Sequence, residues 1–133
     1  MSVQAGDEAS APDDTALWRR VPTWPDWTVF DENLGRLRPS SIAFCDNRDG
    51  SAMSAFLEGH GNSVEDVLRG HDGFLLAGVP LGLVRAQGLE IVHDPLEGLV
   101  SHVEVFGTKT KRIRSALAKA SVWVVAPPEG LAG

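Results

Sequence analysis

His102 and Glu104 stand two residues apart in the alternating stretch Ser101–Gly107, so a strand there sets both on one face. An imidazole titrates near neutral pH, and a carboxylate beside it can orient the ring or hold its charged form. A general acid or base needs such a pair. His93-Asp94 lies a turn before them. The same residues equally suit the polar outer face of an edge strand. Arg20 and Ser41 complete a set of four that a small enzyme would gather around one cleft, on a nucleotide-type substrate. Cys45 is the sole cysteine, and nothing in sequence beside it supplies the base or lowered pKa a thiol nucleophile needs. It reads as a small buried hydrophobe. His60, His71, His93 and His102 lack metal-ligand spacing, so neither a metal site nor any other cofactor is predicted. A G-x-S-x-G elbow is absent, and Gly59-His60-Gly61 has the spacing of neither phosphate-binding glycine motif.

Binding chemistry offers two other places. Trp18, Trp24 and Trp27 crowd around Pro22 and Pro25. Such aromatics form an exposed recognition surface, or lock an N-terminal segment over a sheet as core. Lys109, Lys111, Arg112, Arg114 and Lys119 follow one another without an acid between them. They make either a patch for phosphate or an acidic partner, or a solvated helix face complementing the helix dipole. No aromatic interleaves with them to stack bases, so nucleic acid is not the expected partner.

The elements that would position these residues read as follows. Residues 17–22 and 27–30 have strand composition, broken by Pro22 and the Pro25-Asp26 turn. Ile42–Phe44 and Met53–Phe56 flank a polar loop ending in Asp49-Gly50, which signals a hairpin. Ser63 can cap a short helix closed by Gly70, with Glu65 and Asp66 at its positive end. Residues 74–79 read as a strand buried on both faces. Pro80 then opens a helix that Gly88 stops. Strands follow at 89–93 and 101–107. Residues 110–120 form a helix with Ile113, Ala116, Leu117 and Ala120 on one side, and Ser121–Val125 a buried closing strand.

The chain has 133 residues, the size of one domain, with 43% apolar and 23% charged residues, which is enough for a core without staples. Net charge is −6, but residues 1–14 carry four acids and no base. The remaining body is near neutral and gives no general electrostatic reason to bind nucleic acid. Residues 1–14 are predicted to be a disordered acidic leader, 15–126 a single domain and 127–133 a flexible end. The N-terminus lacks the pattern of a signal peptide, no run is long enough to span a membrane, and cytosol is the default.

Two resemblances add to this. Arg38-Pro39-Ser40-Ser41-Ile42-Ala43-Phe44, then Met53-Ser54, Asp94-Pro95 and His102, resembles a pattern in a group of uncharacterised bacterial proteins. It implies one domain over roughly 17–125 and a bacterial origin, and carries no activity. The order Arg20, Ser40 or Ser41, Glu104 resembles that of ADP-ribosyltransferase-like folds. There the arginine would hold a dinucleotide phosphate, the serine brace the site and the glutamate orient a ribose hydroxyl. His102 stands where that family's context has a glutamate or glutamine two residues before the catalytic one. The expectation is an α+β domain with a mixed or mainly antiparallel sheet of five or six strands and three short helices. Its expected function is a non-enzymatic accessory module binding a protein or small ligand, with the small enzyme as alternative. An enzyme requires Arg20, Ser41, His102 and Glu104 to converge on a pocket; a module requires exposed tryptophans.

Overall fold

A computed structural model describes residues 9–128. Strand β1 (Ala16–Val21) is central to a six-stranded sheet in the order β6-β7-β4-β1-β5-β8, antiparallel at every pairing. The others are β4 (Met53–Leu57), β5 (Leu75–Pro80), β6 (Glu90–His93), β7 (His102–Phe106) and β8 (Val122–Val125). A separate hairpin pairs β2 (Thr28–Asp31) with β3 (Arg36–Pro39). Helices α1 (Val64–Leu68), α2 (Leu81–Ala86) and α3 (Lys111–Ala120) complete the α+β fold, with a 3-10 helix at Ser41–Phe44. Among the described residues no helix is long and apolar enough to cross a membrane.

Alternation along the strands divides the side chains between two unequal faces. Leu17, Val21, Ala55, Leu57, Leu75, Ala77, Val79, Ile91, Val103 and Val105 point into the main core. There they meet Ala43 and Phe44 of the 3-10 helix, Leu81 and Val84 of α2, and Leu117 and Ala118 of α3. The opposite face is thinly covered. Val67 of α1 seals Trp18, Phe56 and Leu76, helped by Val64, Leu68 and Leu99. Helix α1 has only five residues, too short to persist on its own propensity. A full capping box holds it: the Asp66 N–H donates to the Ser63 hydroxyl at 3.1 Å and the Ser63 N–H to the Asp66 carboxylate at 2.9 Å.

Four local readings change. Residues 41–44 coil as a 3-10 helix, so no hairpin joins them to β4. Three apolar residues in a row do not separate strand from helix, and tucking Ala43 and Phe44 under α3 decides it. The preceding Arg36–Pro39 is a strand instead, because β2 pairs with it in full register and Arg38 Nε donates to the Asp31 carboxylate at 2.7 Å. Strand β8 is an exposed edge, with Val122 61% accessible. On α3, Ala118 rather than Ala120 joins Leu117 in the core. Lys111, Arg112 and Arg114 therefore stand in its first turns, at the positive end of the dipole, and Lys119 alone stands in the last.

Within the leader predicted over 1–14, Ala9, Ala11 and Asp13 contact the body of the domain. Residues 1–8 lie outside the described residues, while Ala9 and Ala11 are buried in the main core. The Ala9 N–H donates to the Ile91 carbonyl at 2.8 Å, the Gly82 N–H donates to the Asp13 carbonyl at 2.9 Å, and Arg85 binds the Asp13 carboxylate at 2.7 Å. Of the flexible end predicted at 127–133, residues 129–133 lie outside the described residues.

Candidate functional site: a cationic aromatic cleft

Beyond Val21 the chain leaves the sheet through a turn that presents Trp24 and Trp27. Asp26 adopts φ 75°, unusual for a residue with a side chain. Ser40 braces this turn: its hydroxyl donates to the Asp26 carbonyl and its N–H to the Trp27 carbonyl at 2.9 Å. The two indoles meet edge to face at 5.9 Å, and Trp24 meets Phe74 the same way at 6.1 Å. His71 stands against Phe74 at 5.1 Å. Opposite these rings, the loop from Cys45 to Ala52 is tied by Asn47, whose amide donates to the Ser51 hydroxyl and the Ala52 carbonyl.

Between turn and loop lies a cavity of about 450 Å³ lined by Arg19, Trp24, Trp27, Cys45, Asp46 and Arg48, among others. A second, of about 290 Å³, is lined by Arg20, Ser54, His71 and Phe74, and shares Arg19, Trp24, Trp27 and Asn47 with the first. The two form one cleft at the end of β1. Arg19 and Arg20 leave neighbouring strand positions on opposite faces and both reach it.

Arg19 is only 9% exposed. Its Nε donates to the Ala43 carbonyl at 2.7 Å, its Nη1 to Ser54 at 2.8 Å and its Nη2 to Cys45 at 3.4 Å. Burial pushes its pKa down to about 10, Cys45 and Asp46 oppose this, and the neighbouring charge of Arg20 adds to it. The guanidinium thus stays charged at neutral pH. Among the described residues it has no carboxylate in salt-bridge contact, which buried cations ordinarily need. Arg20 is lowered too, by burial; its Nε donates to the Val67 carbonyl at 2.7 Å, and its guanidinium lies 4.6 Å over the Phe56 ring. Asp46 is the acid at the cleft, and buried Lys109 answers it at 2.6 Å. The balance left over is positive: Arg19, Arg20 and Arg48.

The four residues predicted as catalytic separate. Ser41 belongs to the 3-10 helix under the thick face. Arg20, His102 and Glu104 share the thin face, and Arg20 alone of the four lines the cleft. His102 is buried with its ring 5.4 Å from Phe56, the ring under Arg20. Its Nδ1 lies 2.8 Å from the Asp94 carbonyl and 3.3 Å from the Asp94 carboxylate. Glu104 is raised above the usual carboxyl range by partial burial, then by its hydrogen bond to Asp94 and by that residue's charge, with His102 opposing. The serine facing Glu104 across the strand pair is Ser54, which lines the smaller cavity.

Of the predicted binding residues, Trp24 is 55% exposed, Trp27 half-buried and Trp18 buried beneath α1. Trp18 is core; its indole N–H finds no partner among the described residues. Lys111 and Arg112 are exposed on α3, while Arg114 is half-buried and donates to the Lys109 carbonyl at 3.1 Å, so these charges do not join the tryptophans. Among the described residues, no three histidine, cysteine, aspartate or glutamate side chains gather to hold a metal. Sequence reasoning passed over Arg19, Arg48, Asn47 and Phe74. The available signal was Arg19-Arg20 inside a short apolar strand, where alternation forces one of two adjacent arginines onto the buried face. Comparison of the chain with protein-family models, with curated proteins and with solved structures returned no match.

Proposed function

We propose that this chain is a small-ligand binding domain whose cleft at the end of β1 takes an aromatic anion. Buried Arg19 is the observation that carries the reading. A guanidinium held in the protein without a carboxylate costs stability, and an anion entering the cleft would supply the missing charge. Three of its five N–H donors serve backbone carbonyls, and no described residue engages the other two. Trp24 supplies an exposed aromatic face beside it. The cavity volumes suit a compact molecule, not a polypeptide surface.

The test is a thermal-shift and tryptophan-fluorescence titration of the full chain with aromatic carboxylates and nucleotides, alongside their uncharged analogues. Binding selective for the folded state at about 100 times Kd adds about 2.7 kcal/mol of stability. The reading requires that anions act, that uncharged analogues do not, and that Arg19→Met abolishes the effect.

One observation favours a second reading, an enzyme on a nucleotide-type substrate. Asp94, His102 and Glu104 pair two carboxyl groups with an imidazole on the thin face, and Ser54 links that group to the cleft wall. A carboxyl group raised by burial and by a neighbouring carboxylate, with an imidazole beside it, is a feature of acid–base sites. His102→Ala and Glu104→Ala separate the two readings. A binding domain keeps its affinity in both variants; an enzyme keeps affinity and loses turnover of the bound nucleotide.

A further inference from the structure

The charge and the shape of the cleft narrow the ligand further, on the premise that the cleft is a binding site. We infer that it takes a nucleoside diphosphate, with the base on Trp24 and the phosphates among Arg19, Arg20 and Arg48.

The charge argument comes first. Three guanidinium groups line the two adjoining cavities, and the one acid there is already matched by Lys109 at 2.6 Å. A monocarboxylate would answer one of these cations and leave the others facing each other. A diphosphate answers them together. Guanidinium forks also match the tetrahedral oxygens of phosphate in a way that lysine does not, and the cleft carries arginines. Arg19 and Arg20 come from adjacent residues of one rigid central strand, so their separation is set before any ligand arrives.

Shape supplies the second argument. Trp24 lines both cavities and is 55% exposed, whereas Trp27 and Phe74 are half-buried supports that meet it edge-on. Of the three rings Trp24 alone is exposed, so the cleft offers a single aromatic platform. One exposed ring stacks one base; a strand of nucleic acid would need a row of them. The larger cavity, at about 450 Å³, is of the size that holds a mononucleotide, and the smaller extends it past Arg20 to Ser54 and His71.

The experiment is isothermal titration of the full chain with ADP, UDP, adenosine, inorganic pyrophosphate, indole-3-carboxylate and a hexa-adenylate oligonucleotide, at low and high salt. ADP or UDP is expected to bind about tenfold or more tightly than adenosine, pyrophosphate or indole-3-carboxylate, and to weaken with salt. Trp24→Ala should weaken the nucleotide and adenosine about tenfold and leave pyrophosphate unchanged. Arg48→Gln should do the reverse: nucleotide and pyrophosphate weaken and adenosine holds. Both positions are solvent-exposed, so these variants fold. Indole-3-carboxylate binding as tightly as the nucleotides overturns the nucleotide inference and leaves the aromatic-anion domain standing. Tighter binding of the oligonucleotide than of ADP overturns the single-base inference. No binding of any aromatic anion overturns both.

Discussion

Replacing Arg19 by Met retains the apolar stem and removes the guanidinium. The wild-type cation sits where burial has brought its pKa well below the ordinary guanidinium value, to about 10. At about 1.4 kcal/mol per unit, holding that charge in the folded chain costs on the order of 3 kcal/mol. Against this stand two well-formed bonds, to Ala43 at 2.7 Å and Ser54 at 2.8 Å. Each charged donor contributes about 1.5–3 kcal/mol, and the contact to Cys45 at 3.4 Å adds little. The opposing effects nearly cancel, so Arg19→Met should destabilise by only about 1 kcal/mol. Urea unfolding followed by far-UV circular dichroism at neutral pH measures it. The same variant should lose nucleotide affinity about tenfold or more. A loss of stability beyond about 4 kcal/mol would refute the reasoning, because the guanidinium would then be a clasp of the fold and not a charge kept for a ligand. An unchanged affinity beside a small stability loss would refute it from the other side.

Glu104→Gln tests the acid pair. A carboxyl whose folded pKa lies above the ordinary 4.5 binds its proton more tightly folded than unfolded, so the stability it contributes is full below that ordinary value and lost as pH rises through the folded one. The variant should thus gain about 0.5 kcal/mol over wild type at pH 7 and nothing near pH 4, read by urea unfolding at both; a loss at pH 7 speaks against the pair. Phe44 of the 3-10 helix is fully buried in the main core, and Phe44→Ala should cost about 3–5 kcal/mol in the same assay. A cost under about 1 kcal/mol would mean that the 3-10 helix is not part of the core. Gly82→Ala places a methyl 2.8 Å from the Asp13 Cβ, so it should loosen residues 9–14 at about 1–3 kcal/mol and expose that segment to limited proteolysis. Unchanged cleavage would show that the segment does not pack there.

Where one residue type dominates the local energetics, the sequence was readable. Ser63 capped its helix, Pro80 and Gly88 bounded α2, and the unbroken apolar run Leu75–Val79 became a strand buried on both faces. The alternation of His102, Val103, Glu104 and Val105 placed His102 and Glu104 on one face as read. Non-local choices were not readable. Ile42–Phe44 could extend or coil, and the decision belongs to α3, some 70 residues later. Arg36–Pro39 looks like linker until β2 pairs with it. At the cleft, Trp24 and Trp27 were visible as a cluster, but not the different fate of Trp18, which parity along β1 sends under α1. Arg19 escaped notice because arginine is counted as a surface residue, and only the register of β1 shows that it points inward.

The position of β1 has a consequence in time. Among the described residues it is the first of eight strands to be synthesised, yet its neighbours are the fourth and fifth. The partner segment Leu75–Pro80 follows Val21 by more than 50 residues, so at about 5–20 residues per second a nascent β1 waits roughly 3–10 s for it. Leu17, Trp18 and Val21, all buried in the finished sheet, lack a strand on one edge until Met53–Leu57 is made and on the other until Leu75–Pro80 is. Pairings at such long range also carry a large loop-closure cost and place the domain among slow folders, in the millisecond-to-second range. The nascent chain during this window is where a chaperone would act, and where aggregation would begin in its absence.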